Sequence, residues 1–142
     1  MTGKSAKVAA LQTALAAEQA ASYGYGVVGS HLTGSSFKVA SADCVLHERA
    51  RDNLVKMITA LGAAPQPAAV AYRLPVSVRT ADDAAKLAAD LELSVVSGYL
   101  SLVAVTDPAL RRLAARAMQS ATVRAARWGA PSQAFPGLST PR

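Results

Sequence analysis

A single cysteine, Cys44, in a chain of 142 residues excludes an intramolecular disulfide and a thiolate zinc cluster. Set among apolar neighbours, Cys44 is expected to be a small core residue. Aromatic residues are also scarce, at 5%, although 51% of the chain is hydrophobic. A core of that composition is assembled from alanine and aliphatic side chains on backbones drawn close together, which suits helices packed side by side. Valine and isoleucine do not collect into alternating runs bounded by turns, which argues against a sheet. No run of ~18 apolar residues is free of charge, so no membrane span is expected. Residues 1–7 hold two lysines and no apolar block with a cleavage site, so no signal peptide is expected either. The expected setting is cytoplasmic.

Acidic residues are absent after Asp107, whereas Arg111, Arg112, Arg116, Arg124, Arg127 and Arg142 all follow it. With a formal charge of +6 and a pI near 9.9, contact with an acidic partner has to be weighed. Specific nucleic-acid binding is not expected, because no aromatics interleave with these arginines for base stacking and no RNA-binding signature is present. A solvated basic helix face is the simpler reading. Nucleophile elbow, phosphate-cradling loop and dinucleotide fingerprint are missing too, so whether the chain is an enzyme stays open and no cofactor is indicated.

What is present is helical patterning. Four segments, at about 5–32, 37–61, 80–105 and 108–128, account for most of one expected domain spanning residues 1–142, with a tail over 129–142. The first repeats Val8, Leu11, Leu15, Glu18, Ser22, Tyr25 at the three- and four-residue spacing of a bundle seam. The second repeats Ala40, Cys44, His47, Arg51, Leu54, Ile58, Leu61 and stops at Gly62. Residues 62–79 carry Pro65, Pro67 and Pro75, which deny that stretch a helix. Thr80 with Asp82 and Asp83 caps the third segment, whose seam is Ala81, Ala85, Ala88, Glu92, Val95, Tyr99, Leu102. Asp107 and Pro108 open the fourth as a capping acid followed by proline at the first position. Two short connections and one long one predict an all-α, antiparallel four-helix bundle with a long crossover between helices 2 and 3. The tail is expected to lie against the bundle through Phe135 and Leu138, anchored by Trp128, or to be partly disordered.

The seams break their own apolar pattern at Glu18, His47, Arg51 and Glu92, each near the middle of its helix. Unpaired charges in such positions cost several kcal/mol, so these residues are expected to pair with one another, to bind a ligand, or to stay partly exposed. A two-metal carboxylate site is excluded: neither Glu18 nor Glu92 is followed by a histidine three residues on, and helix 4 has no carboxylate beyond Asp107. One metal held by Glu18, His47 and Glu92 is the remaining metal option. Arg51 opposes it, because two glutamates balanced by arginine and a protonated histidine form a neutral cluster needing no ion. His31 is expected to cap the end of helix 1, and Tyr23, Tyr25 and Tyr99 to be packing residues with satisfied hydroxyls.

The run from Leu11 to Val27 resembles the opening of the actinobacterial ferritin-like domains of unknown function. So do His47 with Arg51 and Asp52, the stretch from Tyr72 to Pro75, Leu91 with Glu92, the stretch from Val123 to Trp128, and the stretch from Ala134 to Leu138. The resemblance implies a ferritin-like bundle in a cytoplasmic actinobacterial protein and implies no activity. At Glu48 the chain departs from that family, where a basic residue commonly follows the histidine. The expected function is a binding or scaffold protein, a homodimer without a complete di-iron ligand set. The alternative is an enzyme or sensor that takes one metal or a small anion at the polar cluster, with Arg51 as the anion's anchor and His47 as a donor.

Overall fold

In the computed structural model, which describes residues 3–134, four helices and no strand are found: α1 (Gly3–Ser30), α2 (Gly34–Ala60), α3 (Ala81–Val103) and α4 (Pro108–Arg127). The α1–α2 turn is shorter than the expected 33–36. The Thr33 carbonyl already accepts from the Phe37 N–H at 3.3 Å, which extends α2 back to Gly34. Helix starts follow local chemistry. At α3 the Thr80 hydroxyl accepts from the Asp83 N–H at 3.1 Å, while the Asp83 carboxylate accepts from the Thr80 N–H at 3.2 Å. Such reciprocal capping satisfies two donors that the helix leaves open. At α4 the Asp107 carboxylate accepts from the Ala109 and Leu110 N–H groups, and Lys7 of α1 closes on it at 3.1 Å. Gly129, at φ 101°, ends α4 in a left-handed residue that costs glycine little.

The helices run down α1, up α2, back along the crossover, then up α3 and down α4, so that α1 is antiparallel to α2 and α3, and α3 to α4. The crossover is strapped to α1 by two glutamines. Gln12 donates to the Ala64 carbonyl at 2.7 Å and accepts from the Gln66 N–H at 3.0 Å, and Gln19 donates to the Gln66 carbonyl at 2.9 Å. Tyr72 then meets Tyr23, with ring centres 5.4 Å apart. These contacts bring α3 to start beside the end of α1.

α1 and α3 are the central pair. α2 packs on α1 and α4 on α3, whereas α2 and α4 make few direct backbone contacts. The α1–α3 approach is so close that a methyl at Gly98 would overlap the Ala17 side chain. Gly98→Ala is therefore expected to cost about 1–3 kcal/mol by overpacking, read as a lower urea midpoint with an unchanged slope.

The apolar core lies in two parts. One is built from Leu11, Leu15, Leu54, Ile58, Val95 and Leu102. The other, at the opposite end, is built from Tyr25, Val28, Leu32, Leu87 and Leu91, with Leu74, Val76 and Val78 of the crossover and Trp128 against it. Charged and phenolic side chains lie between them.

Candidate functional site

Between the two apolar halves, α1 contributes Glu18, α2 His47 and α3 Glu92, at 2%, 1% and 0% exposure. His47 joins the two acids. Its Nδ1 donates to Glu18 Oε2 at 2.6 Å and its Nε2 to Glu92 Oε1 at 2.9 Å. A tyrosine completes each end: Tyr99 donates to Glu18 Oε1 at 2.7 Å, and Tyr25 to Glu92 Oε1 at 2.6 Å. The result is a continuous hydrogen-bonded chain across the bundle, Tyr99–Glu18–His47–Glu92–Tyr25.

The pattern comes from a short internal repeat. Ala17-Glu18 with Gly24-Tyr25 on α1 matches Leu91-Glu92 with Gly98-Tyr99 on α3. In both, tyrosine follows glutamate by seven residues, two helical turns along the same face. Because α1 and α3 are antiparallel, each glutamate meets the other helix's tyrosine. The glycine before each tyrosine faces the other copy of the motif, Gly98 against Ala17 and Gly24 against Leu91. One imidazole serves both acids.

α4 enters through Arg124, whose Nε donates to Glu92 Oε1 at 2.9 Å while its side chain is 14% exposed. Beyond it lies a second buried acid, Asp43 of α2. Arg127 grips both Asp43 oxygens at 2.7 and 2.6 Å, and the Trp128 indole N–H donates at 3.0 Å. The Tyr25 oxygen lies 3.4 Å from Asp43, too far to compete with Glu92 for its one proton.

Burial works against charge on His47, yet its hydrogen bonds to Glu18 and Glu92, and then their charges, outweigh it and push the imidazole up to about 9. Burial likewise acts to raise Glu92, but the bond and charge of His47, followed by those of Arg124, hold it below the usual carboxylate range. Burial, reinforced by the neighbouring carboxylates, pushes both Tyr25 and Tyr99 up, so they stay phenols and act as donors. Near neutral pH the cluster therefore carries two carboxylates, one imidazolium and one guanidinium, and sums to zero. Among the described residues Glu92 Oε2, which is buried, finds no hydrogen-bond partner, whereas Oε1 takes three donors.

Arg51 is a correction to the expected cluster. The structure brings Glu18, His47 and Glu92 together but points Arg51 outward, where its Nε pairs with Asp52 at 2.9 Å and its side chain is 34% exposed. A long stem on a seam position lets the guanidinium reach water, and Arg124 takes the role foreseen for Arg51. Trp128 donates its indole N–H to Asp43 of α2. Phe135 and Leu138 lie outside the described residues. His31 caps the end of α1, its Nδ1 lying 3.1 Å from the Val27 carbonyl. Cys44 is half-buried, with burial pushing its thiol up.

The donor set does not fit a metal centre in this arrangement. The two ring nitrogens of His47 sit on opposite edges of the imidazole and each faces a different carboxylate, so the three side chains diverge from any one point. Among the described residues no group of three His, Cys, Asp or Glu is placed to share an ion, and no helix is long and apolar enough to cross a membrane.

Comparison with known proteins adds a family and a structural relative. The model of a domain of unknown function, DUF4439, matches residues 10–140. A crystal structure of a conserved hypothetical protein, rv2844, from Mycobacterium tuberculosis is 34% identical to this chain, covers 87% of it and 95% of its own length, and superposes with a TM-score of 0.83. No curated protein matches. Neither the family's description nor the relative's name states an activity.

Proposed function

Because this chain belongs to the domain-of-unknown-function family DUF4439, we propose its function from the site: a ferritin-like bundle without a di-metal centre, acting as a homodimeric binding or scaffold protein. One observation carries the proposal. The buried charges neutralise one another, with the imidazole occupying the space between the two carboxylates where an ion would have to bind. The long return connection between α2 and α3 supports the ferritin-like topology, and the Mycobacterium tuberculosis relative supports an actinobacterial source. A free Cys44 is in keeping with a reducing, cytoplasmic setting. In such a protein the polar layer sets helix register, and the outer helix faces do the binding.

The test is metal content and titration. Protein purified without chelator is expected to hold well below one iron, manganese or zinc per chain, and calorimetric titration with each is expected to give no stoichiometric binding. About two irons per chain would overturn the proposal.

A second reading draws on Glu92 Oε2 alone. A buried, ionised oxygen without a donor suits a small hydrogen-bond-donating guest entering where α2 and α4 stand apart. Under that reading Glu92→Gln abolishes stabilisation by the guest in a thermal-shift screen of small amines and alcohols. If no compound shifts the wild-type protein, this second reading is discarded.

A further inference from the structure

We propose that the outward face of α2 is the homodimer surface, packed antiparallel against α2 of a second copy about a two-fold axis between Ser41 and Val45. The inference depends on the scaffold proposal for its premise that the outer faces bind, and it adds which face and which contacts.

Phe37 and Val45 are 46% and 42% exposed on this helix, and they border a groove of about 330 Å³ between α1 and α2. Its α1 wall is formed by Gly26, Gly29 and Ser30 together with the buried Tyr25, and the three small residues let a second helix come close. Apolar side chains beside these small residues make a surface that a partner covers.

Charge selects the occupant. Among the described residues neither Lys38 nor Glu48, ten residues on, has an ion partner. In an antiparallel pair, position i faces a position j such that their sum is constant, and under two-fold symmetry every contact occurs twice. With the axis between Ser41 and Val45, Lys38 of each copy faces Glu48 of the other. In the same register Val45 faces the smaller Ser41, so a larger side chain meets a gap, and Phe37 faces Arg49, whose guanidinium is able to cover the ring. Parallel packing in register would set Lys38 against Lys38. A second copy thus answers the apolar, steric and charge features of the face together.

The experiment is sedimentation equilibrium of the full chain and its variants, with circular dichroism as a check that the helices persist. Wild type is expected to be dimeric. Val45→Asp, at an exposed site, is expected to be a folded monomer. Lys38→Glu and Glu48→Lys are each expected to weaken self-association roughly tenfold or more, because each pair is lost twice and replaced by like charges. The double variant K38E/E48K is expected to recover an affinity close to wild type. A monomeric wild type at millimolar concentration, a dimer indifferent to Val45→Asp, or a double variant no better than the single ones would each overturn the proposal. None of these surface changes touches the Glu18–His47–Glu92 cluster, so a failed dimer test is distinguishable from a failed metal test.

Discussion

His47→Leu is expected to lower the free energy of unfolding by about 3–5 kcal/mol, the range found when one partner of a buried ionic group is removed. Leucine is similar in bulk and suits a helix interior, so cavity formation and helix propensity contribute little. The cost comes from what remains. Glu18 Oε2 loses its bond from His47, Glu92 loses one of the three donors described above, and two carboxylates face one another without the cation between them. Urea unfolding at pH 6 measures the loss. The variant's deficit is expected to shrink as the pH is lowered, because facing buried carboxyls without a cation between them take up protons readily and then need no counterion. A deficit that is constant with pH would mean that packing, not charge, is responsible.

Wild-type stability is expected to fall by roughly 3 kcal/mol between pH 6.5 and pH 9.5, from His47 alone. The folded imidazole titrates at about 9 against 6.5 for the free side chain. Between those values the folded state holds a proton that the unfolded state has released, so raising the pH favours unfolding. The full contribution is present below 6.5 and is lost as pH rises through 9. Glu92 acts in the opposite sense, since its folded carboxyl lies below the ordinary range. Its contribution is present above the unfolded value and is lost as pH falls through the folded one. Stability is therefore expected to peak between about pH 5 and 6.5. Denaturant midpoints across this range read both limbs, and the alkaline limb is expected to flatten in His47→Gln.

Much of this arrangement is legible in the chain before any coordinates. Thr80 with Asp83, and Asp107 with Pro108, mark the starts of α3 and α4 through short-range chemistry that tertiary packing does not override. The seam lines select Glu18, His47 and Glu92 because buried positions on a regular helix recur predictably. Arg51 shows where periodicity stops short: it locates a Cα and not the end of a long, flexible side chain. Arg124 was hidden by composition. In a helix crowded with arginines and lacking acids, all of them look solvated. Yet Arg124 continues the buried line of Leu110, Ala114 and Ala121, and that line is visible in the sequence. Asp43 and the crossed Tyr–Glu pairs were missed for another reason. The signal for the pairs is a seven-residue Glu-to-Tyr spacing present on both α1 and α3, and its meaning emerges only once the two helices are known to be antiparallel neighbours.

The central claim is that a doubly protonated imidazole links two ionised carboxylates inside the bundle, and nitrogen-15 NMR of the His47 ring tests it most directly. At pH 7.5 both ring nitrogens are predicted to carry protons, with a titration midpoint near 9. A neutral single tautomer at pH 7.5, titrating below 6.5, would contradict the account.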